Sequence, residues 1–515
     1  MPAADAQRAV KSVRPAGGGT PVRGRRLSVE RDSARMMRAL KASYAAAQTL
    51  PHQAGYWDRT NSLSAAAEHD EGTRRLLRER ARLLFKNNSY MAGMIRTLAN
   101  DCVGTGPRLQ VMPESDRPGA RRDARRLEQA FAAWAYEVQL AEKLRICRQA
   151  RGREGEIFAV QTTDASLRHP VKLGVRLIET DQCETPDLFV ETPTRVSGID
   201  FDGAGNPSRY HFLVEHPGSN SIGGATQESR VLPAGQVAHY YSPERPDDRR
   251  GVPEITPAMN RFAGLHRWIE ATLANAENAA SIFGVLEQSD DFGEAEDTKD
   301  PNGDDIIGYD PMETVDFEFN TIMTLPRGVK FSSHRADQPS EVFAVAVRMF
   351  IQDVARCLNM PRNIAEGNSA DYNYASGRLD LQTYHRAIQI ERSLMARRLL
   401  WPIFAWFMDE ARLVGGLIPA RYRRLDREMP RIEWRWDAFR HVDPQKEAAA
   451  QGSRLENGTT TLAREFSEQG EDWEEQLEQI ARERDRKEEL GLGSVTIGGG
   501  SEQEEADDET EEADA

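Results

Sequence analysis

The chain has 515 residues, 39 % hydrophobic and 29 % charged, with a net charge of −15. That length exceeds what one ordinary core supports, so two or three domains are expected, and no apolar run is long enough to predict a membrane span. The last fifteen residues carry nine acids and no base, so the folded body is only mildly acidic and lacks the basic footprint of a sequence-specific DNA binder.

Residues 1–35 combine Gly17-Gly18-Gly19 with six basic residues before Leu27, which reads as a flexible arm without the apolar core of a secretory signal. From Glu71 to Asn100 the spacing of Leu76, Leu77, Leu83, Leu84, Met91, Met94, Ile95 and Leu98 is helical. Asn87-Asn88-Ser89 should split that stretch in two, because Asn and Ser favour caps over helix interiors. Gly104-Thr105-Gly106-Pro107 closes the second helix. Another helix is expected over 120–149, with Leu127, Phe131 and Trp134 on one face. The period then changes. Val171, Leu173, Val175 and Leu177 alternate as in a half-buried strand. Tyr210–Val214 and Val237–Tyr241 are further strand candidates, so 150–245 is expected to be β-rich.

After Pro257 a long helix is expected to run to about Glu287, followed by an acidic loop with nine acids and one lysine from Glu287 to Asp305. A calcium reading of Asp300–Asp304 fails on spacing. An EF-hand starting at Asp300 needs Gly and Glu where Asp305 and Pro311 stand. Residues 341–358 form the most informative helix. Val342, Phe343, Val345, Val347, Met349, Phe350, Ile351, Val354, Cys357 and Leu358 leave only Arg348, Gln352 and Arg356 as a polar line, with Asp353 beside it. Such a helix should be buried on most sides, by its own chain or by neighbouring copies. Met360–Gly377 reads as a loop, 378–412 as a helix bent at Pro402, and Gln445–Glu456, Leu462–Glu468 and Trp473–Lys487 as short helices.

A search for chemistry finds none. No glycine is followed by lysine, so there is no P-loop. HExxH and GxSxG are absent, and the ten histidines are scattered. Cys102, Cys147, Cys183 and Cys357 lie far apart, without a CxxC pair or a Cys/His cluster, so reduced thiols are the expectation. No catalytic residue, cofactor or metal site is expected.

Several segments, taken in order, resemble the lambda family of tailed-phage portal proteins. RARLLFKNNSYMAGMIRTLANDCVGTGPRLQ (Arg80–Gln110) resembles its opening helix pair and VGTG turn, and GREGEIFA (Gly152–Ala159) and LIETDQCETP (Leu177–Pro186) its next two strands. PERPDDRRGVPEITPAM (Pro243–Met259) resembles the turn into its long stem helix. LPRGVKFSSHRADQPSEVF (Leu325–Phe343) and LNMPRNIAEGNSADYNYASGRLDL (Leu358–Leu381) resemble the second stem helix and its loop. WRWDAFRHVDPQKEAAA and EQGEDWEEQLEQIARER resemble its C-terminal signature. The match is collinear over about 70–490.

The resemblance implies an α+β portal fold with an α/β wing, long stem helices, a small clip and a helical crown. In chain order it implies a basic arm 1–35, wing 36–256, stem helix 257–285, clip 286–335, stem helix 336–359, tunnel loop 360–377, a wing return 378–442, crown 443–490 and an acidic tail 491–515. It also implies a twelve-subunit ring at the portal vertex of the virion, assembled in the host cytoplasm. That ring would conduct double-stranded DNA without sequence specificity during packaging and ejection. Expected partners are the terminase large subunit, the major capsid or scaffold protein and a head-tail adaptor, with no membrane. Arg348, Gln352, Arg356, Asn368, Tyr372, Asn373 and Tyr374 are the candidate channel residues. Asp290, Asp291, Asp304 and Asp305 are the candidates for the terminase- and adaptor-facing clip. A mildly acidic body without a P-loop suits a conduit, because each neutralised phosphate adds affinity that must be broken at every step. The competing readings are a hydrolase, which would need a nucleophile and base, and a non-enzymatic helical scaffold or adaptor of the virion.

Overall fold

The computed structural model describes residues 60–113, 119–185, 194–219, 228–281, 285–288, 329–332, 341–370, 372–424, 429–439 and 443–492. The chain divides into residues 1–64 and a unit Ala65–Ala515, which holds every element below. Helices and sheets account for 58 % and 13 %, and among the described residues every strand pair is antiparallel, consistent with an α+β chain.

Helices α1 (Glu71–Asn87) and α2 (Ser89–Val103) break where expected. Asn88 donates its N–H to the Leu84 carbonyl, and its side chain accepts from the Met91 N–H at 3.0 Å. One residue thus closes one helix and caps the next. Helix α1 follows its apolar spacing only in part: Leu77, Leu84 and Phe85 pack on the core beside the fully buried Arg74, Arg78 and Ala81, while Leu76 and Leu83 are exposed. The helix expected over 120–149 is two, α3 (Ala120–Glu137) and α4 (Leu140–Glu154). Gln139, at φ 54°, breaks the run. The break lets Leu127, Phe131 and Trp134 on α3 and Leu144 and Cys147 on α4 enter one core from two directions.

Strands β2 (Glu156–Thr163), β3 (Leu173–Ile178) and β8 (Val237–Tyr241) form a sheet in the order β3-β2-β8. A second sheet runs β4 (Arg195–Val196), β5 (Ile199–Phe201), β6 (Pro207–Leu213) and β7 (Ser229–Pro233). Alternate β2 residues enter different cores. Ile157 and Ala159 join the helical core, whereas Phe158 and Val160 pack with Tyr210, Phe212 and Leu232 of the second sheet. A strand covered on both faces reads as a continuous apolar run rather than an alternating one. The strand expected across Leu177–Pro186 stops at Ile178 and passes into a 3₁₀ turn, Thr180–Gln182.

The long helix after Pro257 is α5 (Met259–Ser281). It ends short of Glu287, because Val285–Gln288 is extended (β9) and pairs with β10 (Val329–Ser332). Asp290, Asp291, Asp304 and Asp305 lie outside the described residues, as do nearly all of the expected clip, the whole N-terminal arm and the acidic tail after Leu492. Helix α6 (Glu341–Cys357) follows, then α7 (Arg362–Glu366), α8 (Tyr374–Met395), a π turn at Ala396–Leu400 and α9 (Trp401–Ala411). The backbone stays helical from α8 through the π turn into α9, so Pro402 lies inside a continuous helical run, and the wider π turn directly before it accommodates the missing N–H. Strand β1 (Arg108–Val111) pairs with β11 (Ile432–Arg435), with Arg108 opposite Arg435. Helices α10 (Pro444–Glu456), α11 (Leu462–Glu468) and α12 (Trp473–Glu489) are capped by Asp443, Thr461 and Asp472. Ion pairs hold α12 to α3: Arg121 meets Asp472, and Arg125 meets Glu478 at 2.9 Å.

Candidate functional site

Helices α5 and α6 pack together through Trp268, whose ring centroid lies 4.9 Å from that of Phe343 and 6.3 Å from that of Phe350. Ile351, Val354, Ala355 and Leu358 turn into the main core. The opposite side of α6 exposes Arg348, Gln352 and Arg356 in one line, as their spacing requires. The expectation of burial on most sides is not met within one copy, because Val345 is 54 % and Met349 67 % exposed beside that line. Asp353, at its edge, pairs with Arg261 of α5 at 3.4 Å.

The segment expected as loop 360–377 is shorter than that. It contains α7, ends it at Gly367 with φ 66°, and enters α8 at Tyr374. Tyr372 is half-buried under the Arg362 guanidinium, 5.2 Å from its ring centroid. The Asn373 side-chain oxygen accepts from the Ser376 N–H at 2.8 Å and so caps α8. Exposed Asn368 accepts from the Ala370 N–H at 2.9 Å. The Tyr374 side chain lies outside the described residues. Three of the expected loop residues therefore have local structural work, and the three α6 residues share one open face.

Two buried ionic clusters, absent from the sequence expectations, tie together the elements around the entry to α5. In the first, Arg148 and Arg151 of α4 meet Glu254, which precedes α5, and Glu391 of α8. Arg148 to Glu254 is 2.9 Å and Arg151 to Glu254 2.6 Å; Arg148 to Glu391 is 3.3 Å and Arg151 to Glu391 2.6 Å. Tyr240 accepts from Arg151 at 3.1 Å. Burial raises the Glu254 carboxyl, but the two guanidinium groups outweigh it and hold the group below its ordinary range. In the second, the fully buried Glu156 carboxylate meets Arg250 at 2.6 Å and His239 at 2.8 Å, accepts from the Gly251 N–H at 2.8 Å and lies 3.6 Å from Arg74. Burial pushes that carboxyl up; Arg250 and His239 pull it well below the usual carboxylate value. The signal for both was present in Arg250-Gly251-Val252-Pro253-Glu254, charges set among residues that force close turns.

Among the described residues, Glu179, Asp181 and His216 form the one His/carboxylate group close enough to share an ion. Arg78 and Arg82 already hold Asp181, at 2.8 and 2.5 Å. Burial pushes the Cys147 and Cys183 thiols up to about 12, away from reactivity.

The model of the lambda family of phage portal proteins matches residues 51–392, which span α1 to α8 with both stem-like helices and both ionic clusters. This chain belongs to the lambda family of phage portal proteins. A portal protein is a structural part of the phage particle, through which its DNA passes. Among curated relatives, a probable portal protein of Halomonas phage phiHAP-1 is 25 % identical over 435 residues, covering 81 % of each chain. Among solved structures, a chain of the virion of a native gene transfer agent particle is 13 % identical, with TM-score 0.42, covering 74 % of this chain and 87 % of that one. A chain from the neck of such a particle, computed with C12 symmetry, has the same identity and a TM-score of 0.41, covering 74 % and 89 %. Among the described residues of this portal protein, no helix is long and apolar enough to cross a membrane.

Proposed function

We propose that this portal protein closes into a twelve-copy ring whose channel is lined by α6, with Arg348, Gln352 and Arg356 toward double-stranded DNA and Asn368 at the mouth of the loop. One observation carries the reading: α6 spends one face on its own core and leaves Val345 and Met349 exposed beside a polar line. A cyclic assembly uses two different faces of each copy, so neighbours on either side cover the apolar residues and leave the polar line to the lumen. The acidic stretch with Asp290, Asp291, Asp304 and Asp305 is the proposed docking region for the terminase large subunit and head-tail adaptor. A capsid or scaffold protein is the proposed contact of the outer wing. Assembly in the host cytoplasm belongs to the same proposal. A scaffold or adaptor would not need a polar line of this kind between apolar flanks.

Negative-stain microscopy of the purified protein tests the ring: particles with a central hole support it, and a monodisperse monomer overturns it. Replacing Arg348 and Arg356 together by Ala is expected to leave rings intact and to alter packaging or retention of DNA. Loss of rings would instead assign the two arginines to contacts between copies.

A further inference from the structure

We infer that α8, on the far side of the loop, carries a second rail for the DNA phosphate backbone, built on Arg378, Gln382 and Arg386. The inference rests on the DNA-conduit reading above and extends it to a helix that the family resemblance led us to expect in the wing.

The stem helix contains RMFIQDVAR at Arg348–Arg356, and α8 contains RLDLQTYHR at Arg378–Arg386. Both place arginine, a large apolar residue, glutamine and arginine at the same spacing. On a helix this sets two guanidinium groups about 12 Å apart on one face, with a neutral amide between them. The inward positions correspond as well. Ile351 and Val354 are buried in the first segment; Tyr384 is buried and Leu381 half-buried in the second. The outward positions Arg378, Leu379, Gln382 and Arg386 are all exposed.

Charge argues for a polyanion. In a chain of net charge −15, the exposed face of α8 carries no acid. Its two acids point the other way: Asp380 is half-buried, and Glu391 is bound to Arg148 and Arg151. Of the other described acids between Phe343 and Ser393, Asp353 pairs with Arg261 and Glu366 with Arg362. No carboxylate among the described residues pairs with Arg356, Arg378 or Arg386. Farther along the same side, Gln389 and Ser393 continue the polar line to exposed Arg397. Widely spaced arginines separated by amides suit passing phosphates. They neutralise few charges at a time and offer no groove-reading constellation.

The test uses full-length assembled protein and a random-sequence duplex of about 40 bp, with binding measured between about 50 and 200 mM salt. Arg378→Gln with Arg386→Gln is expected to leave rings unchanged by negative stain and to weaken binding. The dependence of log K on log salt should become shallower by about 0.9 for every arginine that reaches a phosphate. Arg378→Lys with Arg386→Lys should keep most of the slope. Unchanged affinity and slope in the glutamine pair, with Arg348→Gln and Arg356→Gln still lowering them, would overturn this inference and leave the conduit reading standing. Rings that fail to form in the glutamine pair would also overturn it, assigning the face to contacts between copies. Wild-type rings that bind no duplex at any salt would overturn both.

Discussion

Replacing Glu254 by Gln removes one of four charges from the cluster where α4, the entry to α5, and α8 meet. In the native chain two guanidinium groups face two carboxylates, and both arginines are only 4 % exposed. The variant keeps the shape but leaves Arg148 and Arg151 sharing Glu391 alone. Removing one partner of a buried ion pair costs about 3–5 kcal/mol, because the other charge stays buried without its counter-ion. The Glu254 side chain is 18 % exposed and the Gln oxygen still accepts a hydrogen bond, so the lower end, about 3 kcal/mol, is expected. Urea unfolding of the full-length protein, followed by tryptophan fluorescence, measures it. A change within about 0.5 kcal/mol of wild type would refute the reasoning, since that is the range of an ordinary surface substitution. A second variant, Glu254→Leu with Arg148→Met, removes one charge of each sign and leaves Arg151 paired with Glu391. It should be less destabilised than Glu254→Gln alone, and a larger loss would show that packing rather than charge governs the site.

The Glu156 carboxyl titrates far below its ordinary value of 4.5 when folded, so its contribution is complete above that value and is lost as pH falls toward the folded one. The difference in thermal midpoint between wild type and Glu156→Gln should be constant above about pH 5 and shrink below it. Gly155 and Gly251 form a backbone contact that admits no Cβ: one on Gly155, at φ 90°, would lie 2.4 Å from the Val252 carbonyl carbon, and one on Gly251 2.2 Å from the Gly155 oxygen. Either alanine variant should lose at least about 2 kcal/mol in the same unfolding assay. Gly264→Ala, on α5 with open space around it, should instead gain about 0.5–1 kcal/mol.

The helices with a conventional apolar stripe were legible, and so was the break at Asn88, because cap chemistry is local. What the sequence could not disclose depends on distant partners. Helix α1 reads as leucine-faced, and Leu77 and Leu84 do pack on the core, yet Arg74 and Arg78 are buried more deeply, since Glu156 and Asp181 arrive from elsewhere in the chain to neutralise them. Gln139 breaks a helix without a glycine or proline to announce it; only the demand that α3 and α4 share one core requires the turn. The candidate site divides the same way. The line of Arg348, Gln352 and Arg356 follows from periodicity alone, whereas Tyr372 and Asn373 looked free and are spent on a stacked arginine and a helix cap.

The pairing of β1 with β11 has a consequence in time. Arg108 and Arg435 stand opposite each other, so β1 leaves the ribosome long before its partner exists. At about 5–20 residues per second the wait is on the order of tens of seconds. Throughout it, one edge of β1 offers unpaired backbone groups to any strand nearby, including a β11 already completed on another copy. In a host translating many copies at once, correct assembly depends on each nascent chain keeping that edge to itself until its own C-terminal segment arrives.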